Sequence, residues 1–102
     1  MRLIIGNIYQ GRHDFVINKY GENVSILDDL EERMKAGQSV EELLKLSLDY
    51  DVCIVTEGYG GLTQIDKEER DFAKSYGQML VELSKRAESV ERVVCGLGMT
   101  IK

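Results

Sequence analysis

Apolar positions follow two different patterns along the chain. Runs of consecutive apolar residues occur at Leu3–Ile5 and within Asp51–Thr56, and such runs are typical of strands buried on both faces. Between the runs, apolar residues recur at helical spacing. The longest helical stretch carries Phe72, Tyr76, Met79, Leu80, Leu83 and Ala87 on one face. Strands that alternate with helices indicate a mainly parallel sheet with helical crossovers.

Capping signals locate the starts of the helices. An Asp or Ser followed three residues later by Glu is the spacing of a capping box, and it occurs at Asp29, Ser39 and Asp66. The predicted helices therefore cover residues 12–20, 29–37, 39–48 and 66–88. Gly21 and Gly37 are expected to end the first two of them.

The remaining segments are predicted strands and turns. The strands are Leu3–Ile5, Val24–Leu27, Asp51–Thr56 and Arg92–Cys95, with Met99–Ile101 continuing the last one after a bend at residues 96–98. This order predicts an α/β fold: a small P-loop-like domain over residues 1–102, with a mainly parallel sheet of about four strands.

Composition narrows the class of protein. The chain has 102 residues, 43% apolar and 30% charged, as expected for one soluble globular domain. No apolar stretch reaches the length of a membrane span, and the N-terminus does not have the pattern of a signal peptide. A net charge of −5 argues against nucleic-acid binding. We expect a cytoplasmic protein, with Cys53 and Cys95 as reduced core residues.

The segment after the first strand carries the main candidate chemistry. Residues 6–13 read Gly-Asn-Ile-Tyr-Gln-Gly-Arg-His, which is the glycine spacing of the phosphate-binding P-loop, G-x-x-x-x-G-K-[ST]. Arg12 stands at the Lys position and keeps its positive charge. His13 stands at the hydroxyl position and offers no hard oxygen ligand to Mg²⁺. The candidate residues for ATP, GTP or phosphate are Gly6, Asn7, Tyr9, Gln10, Gly11, Arg12 and His13.

Alternatives to this interpretation stay open. The segment could be a plain strand-to-helix turn, and His13 could be an exposed bystander in the first helical turn. A role for Mg²⁺ is also open, and the sequence predicts no metal site, because two cysteines and one histidine are too few ligands for zinc.

Two carboxylates follow predicted strands and are candidate catalytic groups. Asp28 ends Val24–Leu27 as an acidic residue ends a Walker-B strand, where it would hold Mg²⁺ through water; it is equally explained as part of the next helix cap. Glu57 follows the most apolar strand, beside a glycine-rich loop at residues 57–64. Ligands bind at that edge of open α/β sheets, although Glu57 could simply be a solvated carboxylate. Tyr59 in this loop could stack on a base.

Several segments together resemble one family. They are the loop at Gly6–Arg12, the strand Asp51–Thr56 followed by Glu57-Gly58, a helix passing through Tyr76-Gly77-Gln78, and the ending Val93-Val-Cys-Gly-Leu-Gly-Met-Thr-Ile-Lys102. In this order they are similar to the cobinamide kinase/cobinamide-phosphate guanylyltransferase family of vitamin B12 biosynthesis. The resemblance covers residues 1–20 and 50–102.

The resemblance implies nucleotide binding, a function linked to cobalamin biosynthesis, a corrinoid as a candidate substrate and self-association into an oligomer. It implies roles near the nucleotide for the first loop and for Glu57. The middle of the chain departs from the family, since the histidine that accepts GMP has no counterpart there and His13 is the only histidine. Guanylyl transfer is therefore not expected. Two hypotheses follow. The protein is either a kinase-like transferase or a non-catalytic pseudo-enzyme that acts through protein contact.

Overall fold

A computed structural model of the protein describes residues 1–57 and 66–102. Within these residues it contains five strands and four α-helices. They are β1 (Arg2–Ile5), α1 (Arg12–Tyr20), β2 (Ile26–Leu27), α2 (Leu30–Lys35), α3 (Val40–Ser47), β3 (Val52–Val55), α4 (Lys67–Arg86), β4 (Ser89–Val94) and β5 (Leu97–Thr100). The α/β class is confirmed, while the sheet has five strands rather than about four.

The strand that leads into the candidate loop lies at the centre of the sheet. The spatial order is β2-β3-β1-β4-β5. β1 pairs in parallel with β3 and with β4, β2 pairs in parallel with β3, and only β5 is antiparallel. Because the parallel strands share one direction, the segments that follow β1, β2 and β3 all start at the same edge of the sheet.

Helices cover both faces of the sheet, and successive residues of each strand point to opposite faces. On the α1 face the buried core residues are Ile4, Val16, Val52, Ile54 and Val93. On the α2–α4 face they include Leu3, Leu43, Cys53, Val55, Tyr76, Met79, Leu83 and Val90. This two-sided burial explains why β1 and β3 read as continuous apolar runs.

Two of the three predicted capping boxes are correct. The side chains of Ser39 and Asp66 each accept a hydrogen bond from the backbone N–H three residues on, at 3.2 and 2.8 Å. Asp29 precedes α2, yet its side chain caps nothing. Its carboxylate instead accepts a hydrogen bond from Arg33 Nε at 2.8 Å, so the predicted box at Asp29 is wrong.

The end of the chain also differs from the prediction. Met99 does not continue β4 but lies in β5, which folds back on β4 through a turn at Cys95 and Gly96 with φ values of 53° and 76°. Positive φ at both central residues is typical of a type I′ hairpin turn. Cys95 is therefore exposed and not a core residue, whereas Cys53 is buried, which raises the pKa of its thiol to about 12.

Two further observations complete the fold. The glycine-rich loop, with Tyr59, lies outside the described residues apart from Glu57. Among residues 1–57 and 66–102, no helix is both long and apolar enough to cross a membrane.

Candidate functional site

The loop between β1 and α1 begins at a position that only glycine fits. Gly6 N donates to Val55 O at 3.0 Å, so the loop leaves β1 still bonded to β3. On its other side, a Cβ atom on Gly6 would lie 2.9 Å from the backbone oxygen of Val93 in β4. The loop therefore starts between three strands, over the middle of the sheet edge.

The loop ends at Gly11, which has φ 79° and precedes the first helical residue, Arg12. A left-handed conformation at that position favours glycine. Tyr9, within the loop, also has a positive φ of 67°, and its side chain is 93% exposed. Its ring contributes little to the core and is accessible to a ligand.

Gln10 fastens the loop to the β4–β5 turn. Its side-chain Oε1 accepts a hydrogen bond from Cys95 N at 2.7 Å, and its backbone oxygen accepts one from Gly96 N at 2.8 Å. Its own N–H donates to Asn7 O at 3.3 Å. Gln10 therefore holds the loop in place. Because these atoms of Gln10 are already hydrogen-bonded, the neighbouring loop residues are the better candidates for binding a ligand.

Arg12 reaches back across the loop. Its Nη1 donates to Gly6 O at 2.9 Å, which joins the first helical residue to the first loop residue. The half-buried guanidinium also lines a small cavity of about 30 Å³, together with Asp28, Glu31, Thr56 and Tyr76. The loop cation and the acidic end of β2 thus share one space.

His13 contacts one of the two predicted catalytic carboxylates. Its Nε2 lies 2.8 Å from Asp28 Oδ2, and about half of each side chain is exposed. The contact links the first turn of α1 to the segment after β2. His13 is therefore exposed, as predicted, but is paired with Asp28.

The other predicted carboxylate lies apart from this group. Glu57 forms an ion pair with Nε of Arg92 on β4 and does not line the cavity that Arg12 and Asp28 share. Arg92 neutralises the charge of Glu57, and nothing in the sequence pattern marked Arg92 as its partner. The structure therefore brings Arg12, His13 and Asp28 together but not Glu57.

A hydrogen-bonded group that the sequence did not indicate forms the floor of the cavity. Thr56 Oγ1 lies 3.1 Å from Glu31 Oε2 and 2.9 Å from Tyr76 Oη, which also donates to the backbone oxygen of Thr56 at 2.9 Å. Burial is the main cause that raises the pKa of Tyr76. Tyr76 was predicted as core, and its ring is fully buried, but its hydroxyl reaches the cavity. Thr56 follows β3 directly, and this position at the end of a buried strand was the sequence signal that could have identified it as a site residue.

The charges of the site favour different ligands at its two ends. Among the residues that the structure describes, Asp28, Glu31, Glu32 and a single cation, Arg12, line the cavity, and these charges disfavour an anion there. The loop and the first turn of α1 present backbone N–H groups, to which anions bind. Within residues 1–57 and 66–102, no three His, Cys, Asp or Glu side chains form a group that could hold a metal ion.

No protein-family model and no curated protein matches the chain.

Proposed function

We propose that residues 6–13 bind the phosphate groups of ATP or GTP and that the protein is a degenerate relative of the cobinamide kinase/guanylyltransferase family. The observation that carries this proposal is the loop itself. It leaves the central strand at a glycine-only position, Gly6, and enters α1 through a left-handed glycine, Gly11. Gly6 lets the loop leave the sheet directly against Val93, and a tight turn with a left-handed glycine is the kind of backbone concavity that binds anions.

The open start of α1 supports the same ligand. The side chains of Ser39 and Asp66 cap α3 and α4, whereas α1, like α2, has no side-chain cap. The first N–H groups of a helix need an acceptor, and its N-terminus favours negative charge. A phosphate oxygen would serve as that acceptor, and the adjacent guanidinium of Arg12 would add a charge-assisted hydrogen bond.

If the protein is catalytic, we expect NTP-dependent phosphorylation of the cobinamide aminopropanol hydroxyl, in cobalamin biosynthesis. Asp28 is the better candidate than Glu57 for a base or for holding Mg²⁺ through water, because Asp28 shares the cavity with Arg12. Glu57 is occupied by Arg92. Guanylyl transfer is not expected, because the only histidine, His13, lies against Asp28.

The alternative function is a non-catalytic pseudo-enzyme that acts by oligomerisation or by contact with a partner protein. One observation favours it: the last strand, β5, exposes the apolar side chains of Leu97 and Met99 at the edge of the sheet. The loop and the outer edge of β5 are different surfaces, although Gln10 joins the loop to the β4–β5 turn. Substitutions at Arg12 and at Met99, away from that turn, test the two functions separately.

Isothermal titration calorimetry of the protein with ATP and GTP, each with and without Mg²⁺, tests the phosphate proposal. We expect saturable binding with Kd between about 1 μM and about 1 mM, the range of roughly −8 to −4 kcal/mol. Arg12→Ala removes the cation of the loop and should weaken binding by about tenfold or more, since a hydrogen bond to a charged group contributes about 1.5–3 kcal/mol.

Arg86→Ala is the matched control, because Arg86 lies at the C-terminal end of α4 and pairs with Glu82 at 3.3 Å. It should bind as the unmodified protein does. Absence of heat with all four titrants, or equal loss in the two variants, would reduce residues 6–13 to a structural turn.

A further inference from the structure

The last strand of the sheet exposes an apolar stripe. The exposed fractions are 72% for Leu97, 47% for Met99 and 62% for Ile101. Leu97 and Met99 alternate within β5 and therefore point to one face, and Ile101, the residue directly after β5, follows the same spacing. Leu97 lies opposite Val94 and Met99 opposite Arg92. The face is the α2–α4 face, because Gly98, at the next position, lies against Phe15 of α1.

The backbone of β5 is available for a further strand. β5 ends the sheet order, and no strand among residues 1–57 and 66–102 pairs with its outer edge. Ile101 N donates to Val90 O at 2.8 Å, so Leu97, Met99 and Ile101 direct their backbone groups toward β4. In an antiparallel ladder the direction alternates. Gly98 and Thr100 therefore direct N–H and C=O outward.

This edge lacks the features that keep strands of different molecules apart. Charged side chains, prolines and bulges normally protect an edge strand from pairing with another chain. Residues 97–101 read Leu-Gly-Met-Thr-Ile and contain no charge and no proline, in a chain of which 30% of residues are charged. The segment is therefore suited to pair with a strand.

We propose that this strand is β5 of a second copy of the chain, paired antiparallel about a two-fold axis at Met99. In that register Gly98 of each copy lies opposite Thr100 of the other, and each such pair exchanges two backbone hydrogen bonds. Met99 meets its own copy on the axis. Leu97 of each copy lies opposite Ile101 of the other, so two sheets join into one.

Two observations favour a second copy over another occupant. Leu97 and Ile101, which are similar in size, flank Met99, so the stripe is nearly symmetric and matches itself. A shallow groove of about 520 Å³, lined by Leu80, Val81, Ser84, Lys85 and Lys102, lies between α4 and the end of the chain, where this register would bring Leu97 of the second copy. The pairing is also compatible with a net charge of −5, because residues 96–101 carry no ionisable side chain and bring no like charges together.

Sedimentation velocity over about a hundredfold range of concentration tests the proposal, because dimerisation follows mass action. We expect a reversible dimer. Met99→Lys opposes two ammonium groups on the axis and should weaken the dimer at least about tenfold, or roughly 1.4 kcal/mol. Leu48→Lys is the matched control, since Leu48 is 61% exposed at the end of α3, and it should dimerise normally. Circular dichroism checks that both variants fold.

Disulfide formation tests the register independently of affinity. Directly opposed residues in a non-hydrogen-bonded antiparallel pair have Cα atoms about 4.5 Å apart, within the reach of a disulfide. In a Cys95→Ser background, Met99→Cys should therefore crosslink rapidly under mild oxidation. Thr100→Cys should not, because it lies two positions from its own copy, more than about 7 Å away.

Each outcome decides the proposal. A monomer at every concentration overturns it, and so does a dimer that Met99→Lys leaves intact, since that dimer uses another surface. Equal crosslinking at both cysteines overturns the Met99 axis. A monomer that takes up an added strand peptide of different sequence would identify β5 as a docking site for another protein and overturn self-pairing. Because none of these experiments contains nucleotide, a result that overturns the dimer leaves the phosphate-binding proposal untouched.

Discussion

The two faces of the sheet are stabilised in different ways. On the α2–α4 face, three helices bury a continuous apolar cluster that includes Leu3, Leu43, Met79 and Leu83. On the α1 face, one helix of nine residues covers a smaller cluster around Val16. The helix that carries the candidate loop is thus the one with less apolar surface beneath it.

A buried carboxylate, that of Glu91, gives the α1 face additional stability through hydrogen bonds. Only 5% of the Glu91 side chain is exposed, and its carboxylate accepts hydrogen bonds from Lys19 Nζ at 2.7 Å and from the hydroxyl of Tyr20. Burial alone would raise the pKa of Glu91, but the hydrogen bonds from Lys19 and Tyr20 outweigh it and hold the pKa below its usual value. Glu91 is therefore ionised at neutral pH and anchors the end of α1.

The difference predicts unequal local stability on the two faces. Apolar contacts among three helices and the sheet hold the α2–α4 face. A smaller apolar cluster and the polar contacts of Glu91 hold α1. Regions held by fewer apolar contacts open at lower free energy than the core, so α1 should open locally before the α2–α4 face does.

Leu83→Ala should have the largest effect on stability. Leu83 is fully buried on the core-facing side of α4, and truncation of a core leucine lowers the free energy of unfolding by about 2–5 kcal/mol. Urea unfolding followed by circular dichroism measures the change. If residues 6–13 bind phosphate as proposed, binding by the folded variant should be nearly unchanged, because the loop leads into α1 on the opposite face of the sheet.

The same comparison can be made with side chains of equal size. Val90 and Val93 lie on one strand, are 2% and 1% exposed, and face the α2–α4 and α1 sides respectively. Val90→Ala should cost more than Val93→Ala, since one short helix can move into the space left on the α1 side. If Val93→Ala costs as much or more, the α1 face is not the more adjustable one.

Glu91→Gln should have an intermediate effect. It removes the charge while keeping the size of the side chain, and a hydrogen bond to a charged group contributes about 1.5–3 kcal/mol. We therefore expect the free energy of unfolding to fall by about 2 kcal/mol at pH 7. Glu41→Gln, which changes an exposed glutamate on α3, should be close to neutral.

The stability difference between the unmodified protein and Glu91→Gln should depend on pH in one direction. The pKa of Glu91 is lower in the folded protein than its usual value of 4.5. Its contribution is therefore complete above that value and is lost as the pH falls through the folded pKa. The unmodified protein and Glu91→Gln should differ fully at pH 7 and converge below about pH 4.5. A difference that persists at low pH would mean that the ionised carboxylate is not the source of stability.

Local patterns predicted most of the helices and central strands. The apolar runs of β1 and β3, the range of α1 and the caps at Ser39 and Asp66 depend on neighbours in sequence, and they are correct. The β4–β5 hairpin was missed because its turn uses Cys95 at positive φ, where Asn, Asp or Gly would have been the usual signal. Without that signal, β5 read as a continuation of β4.

Of the candidate site, the sequence predicted only the residues that come directly after a strand. Asp28 and Glu57 both come after strands, but the sequence does not fix the strand order that brings Asp28 to His13 and Glu57 to Arg92. The contact of Arg12 with Gly6 O spans a loop whose curvature has no simple sequence pattern. These pairings depend on tertiary structure, and residue spacing along the chain does not contain them.

Gln10→Ala should have the smallest effect and the most local one. It removes the hydrogen bond that Cys95 N donates to the Gln10 side chain, while the bond from Gly96 N to the Gln10 backbone can remain. The loss should lower the free energy of unfolding by only about 0.5–1 kcal/mol. Amide exchange resolves it further: Cys95 N–H should exchange faster, and Gly96 N–H should keep its protection. Gln78→Ala, an exposed change on α4, should alter neither amide. If both turn amides lose protection together, the Gln10 side chain holds the whole turn against the loop, and the loop and the start of β5 move as one unit.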